Sequence, residues 1–319
     1  MSAFYIICPV VIFIFALTVS ASYYAYRKAF YSDRKKERDM YSGIDKRGYA
    51  PYTERIRALI DAFSDISFER VYITSRDGLT LSARYYHASD GAPLEIQVHG
   101  YRGNPLRDCA GSGTECLKRG HNLLLIDQRA GGESEGRRIT FGMLERFDVL
   151  DWVDFSLNRF GRETKILLTG VSMGAATVLM ASGEPICENV RGVIADCPYS
   201  SAVDIIAKVG REKKIPEFAS KLFAIIGARL FGGFSVTETT AAIAVKNSKI
   251  PTLIIHGASD SFVPCYMSEE IARANGNVIY ELFDGAEHAT SYLSDTEAYV
   301  KLINSFKDKV LSDENELKR

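Results

Sequence analysis

The chain has 319 residues, 46% of them hydrophobic and 25% charged, with a formal net charge of −1 at pH 7. That is enough apolar material for one large core, and the even charge balance, with no basic stripe carrying interleaved aromatics, argues against a nucleic-acid partner. Cys8, Cys109, Cys116, Cys187, Cys197 and Cys265 form no C-x-x-C pair, so neither a zinc site nor a dense disulfide framework is suggested and free thiols are the simpler account.

From Ala3 to Tyr26 there are 24 residues without Asp, Glu, Lys or Arg. A helix of that length rises about 36 Å, enough to cross a hydrocarbon core of about 30 Å. A cleaved signal peptide is the competing reading, with Val19-Ser20-Ala21 as a passable cleavage site. Two features favour an anchor over residues 1–27: no Lys or Arg precedes the apolar run, and the run exceeds the roughly 7–15 residues of a signal h-region. Arg27, Lys28, Arg34, Lys35, Lys36 and Arg38 all follow it, so the positive-inside rule predicts a single-pass protein whose remaining domain is cytoplasmic. The same basic run is also suited to anionic headgroups.

Residues 28–66 are of mixed charge, with a helical segment at Thr53–Phe63, and are expected to be a connector packed on the edge of a domain at 67–312. Two β-rich stretches, Phe68–Thr74 and Leu79–His87, flank Arg76-Asp77-Gly78, a hairpin signal. Apolar runs then recur at Leu94–Val98, Asn122–Ile126, Ile166–Leu168, Val190–Ala195, Thr252–Ile255 and Val278–Leu282. The segments between them are long enough for crossover helices, the pattern of a mostly parallel sheet covered on both faces. The stretch 198–249 interrupts that rhythm with Ile205-Ile206, Leu222–Ile226 and Leu230–Phe234 at helical spacing. It is expected to form a small helical cap, whose apolar stripes are ordinarily packing; a functional version lines an acyl-chain groove, with Gly232-Gly233 as a hinge.

The run from Lys165 leads into Gly170-Val171-Ser172-Met173-Gly174 and then into small, aliphatic helix formers. This spacing mounts a serine on a strand-to-helix turn, where a strained backbone projects the hydroxyl and the flanking positions must lack bulk. The amide of Met173 falls in the first helical turn, where unpaired N–H groups and the helix dipole suit a developing oxyanion. Polar and glycine-rich residues also gather just after the other apolar runs: His99-Gly100-Tyr101, Asp127–Ser134, Asp196, Asp260 and His288. In open α/β sheets the carboxyl edge is where sites form.

Over roughly 68–310 this arrangement resembles the α/β-hydrolase superfamily, and within it the serine-aminopeptidase-type or Bem46-like hydrolases, many of which carry an N-terminal membrane anchor. The resemblance implies a mostly parallel eight-stranded sheet with helices on both faces. It also implies the chain order nucleophile, acid, histidine, which matches Ser172, Asp260 after the strand at 252–255, and His288 after the last strand. Of the other histidines, His87, His121 and His256 lie at strand ends and His99 lies in the loop after the third strand, so His288 stands out by position. Asp196 is an alternative acid, placed where some relatives carry it, and Asp284 more plausibly shapes the loop before His288. His99-Gly100-Tyr101 resembles the family's His-Gly-x element, which implies that the Tyr101 backbone amide completes the oxyanion hole begun by Met173. Asp127–Ser134 resembles the family's D-x-R-G-x-G-x-S loop, with Ala130 in place of its first glycine and Gly131 where histidine is frequent.

The implied activity is a serine hydrolase that cleaves an acyl ester through an acyl-enzyme, with a small or lipid-like substrate and no metal or organic cofactor. A peptidase or amidase of the same fold is the nearest variant, and a catalytically idle, membrane-associated binding protein is the alternative from a different class. An aspartate nucleophile, as in haloalkane dehalogenases and epoxide hydrolases, is disfavoured by Ser172.

Overall fold

The computed structural model describes residues 2–33 and 39–312. The basic positions Arg34, Lys35, Lys36 and Arg38 used above lie outside the described residues. One eight-stranded sheet organises the chain: β1 (Glu69–Thr74), β2 (Thr80–Tyr86), β3 (Leu94–Val98), β4 (Asn122–Ile126), β5 (Ile166–Val171), β6 (Val190–Asp196), β7 (Thr252–Gly257) and β8 (Val278–Phe283), in the order β1-β2-β4-β3-β5-β6-β7-β8. β1 and β2 pair antiparallel through the turn at Asp77-Gly78, where Gly78 takes φ +87°, and β2 runs antiparallel to β4. From β4 through β8 every pairing is parallel. The central strands β3, β4 and β7 are buried along their whole length. Their near-continuous apolar composition follows from having helices on both faces.

Helices α1 (Ser2–Ala29) and α2 (Thr53–Ser64) precede the sheet. On one face α3 (Pro105–Lys118) and α2 pack with Leu123 and Leu125, and α11 (Thr296–Leu311) packs with Leu167, Ile194, Leu253 and Ile255. On the other lie α4 (Glu145–Phe160), α5 (Met173–Ser182), α8 (Ala241–Asn247) and α9 (Tyr266–Arg273). Every residue of α5 is buried, which explains its lack of a polar stripe. The cap consists of α6 (Ala202–Glu212), α7 (Glu217–Gly227), a π-turn at Ala228–Gly232, and α8; a four-residue α10 (Ser291–Ser294) precedes α11.

Helix α1 contains a stretch, Ile7–Ala29, long and apolar enough to cross a membrane. Its side chains are exposed from Ile7 to Leu17, whereas Ser22 and Tyr26, with Phe30 just beyond, are buried against the domain. This i, i+4, i+8 face packs beside α7, and Phe30 sits edge-on to Phe141 and Phe234 at 5.6 and 5.3 Å between ring centroids. Ile139 N–H donates to Phe30 O and Ser32 N–H to Arg137 O, tying the chain that leaves α1 to the loop before α4.

Candidate active site

The turn after β5 holds Ser172 at φ 55°, ψ −115°, a backbone conformation that L-residues avoid. The glycines two positions away are required by contact rather than by flexibility. A Cβ on Gly170 would lie 2.3 Å from the Gly174 carbonyl, and one on Gly174 would lie 2.0 Å from Val98 O. Strand β5, the start of α5 and the end of β3 are therefore in backbone contact around the serine.

The turns after β7 and β8 carry Asp260 and His288, and the structure brings both to Ser172. His288 Nε2 is 3.0 Å from Ser172 Oγ, and His288 Nδ1 is 2.7 Å from Asp260 Oδ2. The other carboxylate oxygen of Asp260 accepts the backbone N–H groups of Phe262 at 2.8 Å and Val263 at 2.7 Å. A second imidazole stands behind the acid: His256 Nε2 donates to Val263 O at 2.8 Å and faces Asp260 Oδ2 at 3.1 Å, while its Nδ1 accepts from Ser268 Oγ at 2.6 Å. Burial opposes the charge on Asp260, but the hydrogen bonds from His256 and His288 outweigh it and hold the carboxyl well below its usual range. Asp260 is thus a fixed anion, with the Nδ1–H of His288 aimed at it.

Asp196 is nearby but turned away from His288. It accepts the hydroxyl of Tyr299, on α11, at 3.0 Å, and its second oxygen is buried without a partner. Burial raises its pKa to about 6. Among the described residues Asp284 forms no hydrogen bond or ion pair with Ser172, Asp260 or His288; His99 is structural, its Nε2 accepting the Gln128 N–H at 3.1 Å. His121 belongs to a buried ion cluster with Glu95 and Lys307. The D-x-R loop is likewise scaffolding: Arg129 joins Asp77 to Asp148, and Ala130, where glycine is usual, takes φ 62°.

The loop after β3 faces the serine, because a Cβ on Gly100 would lie 3.5 Å from Ser172 Cβ. Tyr101 follows Gly100 and Met173 follows Ser172, so the two residues expected to supply the oxyanion hole are the chain neighbours of this contact. Three side chains set this loop. Asp108, in the first turn of α3, accepts Gly100 N–H at 3.0 Å. Tyr101 Oη donates to Ala29 O at 2.7 Å, and Arg102 donates to Lys28 O at 3.0 Å and Tyr31 O at 2.8 Å. The last carbonyls of α1 are therefore capped by the residues beside the nucleophile, a favourable place for a cation.

A cavity of about 280 Å³ opens at Ser172 and His288. Its described lining includes no residue of 198–249. Beneath the cap Phe30, Phe141 and Phe234 pack together, and a separate hollow of about 310 Å³ lies among the cap residues Ile225, Ile226, Leu230 and Val236, none of which lines the cavity at Ser172. The cavity instead runs along the α3/α11 side of the sheet, past Gln97, Thr169, Asp196 and Tyr299, and is walled by Ser42, Ile44, Tyr49 and Ile56. The segment expected to pack on the domain's edge therefore reaches the site. A Cβ on Gly48 would meet Glu287 at 2.3 Å, so the strap passes directly over the loop carrying His288. Burial pushes the Tyr49 phenol well above its ordinary pKa, with Asp108 adding to the effect.

Sequence reasoning missed Asp108, His256 and Tyr49. Asp108 had a signal, an acid in the first turn of a helix opened by Asn104-Pro105, where it can reach a neighbouring backbone amide. His256 and Tyr49 had none, because their roles depend on what folds against them. Among the described residues, one set with metal-ligating atoms lies close enough to share an ion: Cys197, Asp260 and His288, all within 4.8 Å. Asp260 and His288 are bonded to each other there, and burial pushes the Cys197 thiol well above its ordinary pKa, against the thiolate a metal would need.

The strand order, the serine on its strained turn and the two following loops together define the architecture. The chain has the α/β-hydrolase fold. A family profile described as alpha/beta hydrolase fold matches residues 97–224. The chain is 27% identical over 194 residues to the uncharacterized protein YqkD of Bacillus subtilis, a match spanning 60% of this chain and 64% of that one, slightly under two-thirds of the relative's length. It is 28% identical over 182 residues to the thiohydrolase aneE of Aspergillus aculeatus, covering 54% of each chain. Among solved structures, the Pyrococcus furiosus esterase Pf2001 superposes with a TM-score of 0.63 at 22% identity, over 79% of this chain and 94% of that one.

Proposed function

We propose that this α/β hydrolase is a serine esterase in which Ser172 is the nucleophile, His288 the general base and acid, and Asp260 the residue that orients the imidazole. The observation that supports this best is the unbroken run of contacts from Ser172 Oγ to His288 Nε2 and from His288 Nδ1 to Asp260. Ser172 Oγ attacks the acyl carbonyl while its proton passes to His288 Nε2. The oxyanion is held by the amides of Tyr101 and Met173. Collapse expels the alcohol, which takes the proton from Nε2, and a water activated by the same nitrogen hydrolyses the acyl-enzyme. The hydrolase domain is held at a membrane by α1, on the cytoplasmic side, in keeping with Arg27 and Lys28 at its C-terminal end.

Fluorophosphonate labelling and p-nitrophenyl ester turnover test the chemistry. Wild-type protein is expected to be labelled at Ser172, and Ser172→Ala to lose about 10⁶ in kcat. An unlabelled protein, or an alanine variant with wild-type rates, would overturn it and leave the idle binding protein standing. Protease protection in intact cells tests the topology, since digestion of the domain from outside would refute the cytoplasmic placement.

A further inference from the structure

We infer that the cap is itself a membrane-contacting element: the tip between α6 and α7 and the outward face of α7 sit in the lipid interface beside α1. The inference rests on the proposed reading of α1 as a membrane anchor.

The first observation is where α1 meets the domain. From Ser2 to Leu17, before α1 begins to pack on the cap, the helix rises about 24 Å against a hydrocarbon core of about 30 Å. A full span therefore has to include residues from Thr18 onward, where the helix packs on the cap. The second is direction. Gly227 lies against Ser22 and Tyr26, Phe231 against Tyr23 and Tyr26, and Phe234 against Phe30. These contacts advance together along both segments, so α7 runs the same way as α1, and its N-terminal end points toward the exposed part of α1.

What stands at that end is suited to lipid. Along α7 the buried residues are Ser220, Ala224 and Gly227, and the opposite face carries Phe218, 74% exposed, Leu222, 46%, and Ile225, 38%. The turn before α7 adds Ile215, 39% exposed, and the exposed Lys213 and Lys214. The neighbouring acids are already engaged, Glu212 with Lys208 and Glu217 with Arg211 and Lys221, whereas no acid among the described residues pairs with the two lysines. An aromatic and aliphatic stripe ending in unpaired cations is the pattern of a helix seated at the headgroup boundary, with the lysines at anionic lipid. Continuity with α1 selects a bilayer over a protein partner.

The test uses the full chain in vesicles of phosphatidylcholine and phosphatidylglycerol with mid-chain brominated lipids. Phe218→Trp and Ile12→Trp are compared with wild type, whose single Trp152 is fully buried and supplies a constant background; an unchanged melting temperature confirms that each variant folds. The expected result is quenching of both introduced tryptophans, with a blue-shifted emission at 218 and the stronger loss of intensity at 12. Quenching at 12 but not at 218 overturns the cap contact and leaves the anchor standing. Quenching at neither position overturns both. A concentration-dependent blue shift at 218 without quenching assigns the face to a second copy of the chain and likewise overturns the lipid contact.

Discussion

Asp260→Asn probes the relay at one atom. In the wild type, one carboxylate oxygen accepts the backbone N–H groups of Phe262 and Val263 at 2.8 and 2.7 Å, and the other faces His288 Nδ1 at 2.7 Å. The asparagine carbonyl must stay on the two backbone donors, since turning the amide round would leave both unpaired at about 1–3 kcal/mol each. The amide NH₂ then takes the place of Oδ2 and presents donors to His288. The imidazole responds by accepting at Nδ1 and carrying its proton on Nε2, the nitrogen that has to receive the Ser172 proton. A triad with the wrong tautomer loses about 10⁴ in kcat, equivalent to about 5.5 kcal/mol. The assay is kcat on a p-nitrophenyl ester, with thermal melting to show that the variant is folded; the melting temperature is expected to fall, because His256 and His288 stabilise the carboxylate that the amide replaces. A variant within about tenfold of wild type, or an Asp196→Asn variant that shows the large loss in its place, refutes the assignment of Asp260 as the orienting acid.

Three further outcomes follow from other parts of the structure. Asp196 binds a proton in the native state up to about pH 6, whereas the unfolded chain releases it near pH 3.9, so its contribution to stability falls as pH rises across that interval and the cost persists above it. Asp196→Asn should therefore gain up to about 3 kcal/mol over wild type at pH 7 and little at pH 4, and an equal gain at both would refute this. Lys307→Met should cost about 3–5 kcal/mol in urea unfolding, because Glu95, 1% exposed on its side chain, loses the ammonium 2.7 Å away and keeps His121 and a long hydrogen bond from Gln97 at 3.4 Å. Adding Glu95→Leu should recover much of that loss; no recovery would mean that Lys307 acts through packing alone. Tyr49→Ala should widen the cavity and raise kcat/KM for bulky acyl esters relative to acetate, and an unchanged profile would show that the strap does not bound the acyl site.

Much of the architecture was legible because strands and helices declare themselves locally. The apolar runs at Leu94–Val98 and Asn122–Ile126 coincide with β3 and β4, and Asp77-Gly78 forms the hairpin turn. Ser172, Asp260 and His288 could be picked out because each sits within five residues after a strand, where a parallel sheet collects its polar loops. The uncharged run before Arg27 was equally plain, since a helix long enough to cross a bilayer needs only composition to be seen.

What the chain alone left open was every question of which element closes over which. Both Asp196 and Asp260 follow strands near the serine. The carboxylate that reaches His288 is the one whose loop turns its own backbone amides onto the acid, while Asp196 projects toward α11 and is taken by Tyr299. The cap stripes have the spacing of a groove, yet Phe30 arrives from the end of α1 to pack beneath them, and the cavity that opens at Ser172 is lined by Tyr49 and its neighbours rather than by the cap. Periodicity records which residues avoid water. The partner that excludes the water comes from more than a hundred residues away, and only the closed tertiary structure selects it.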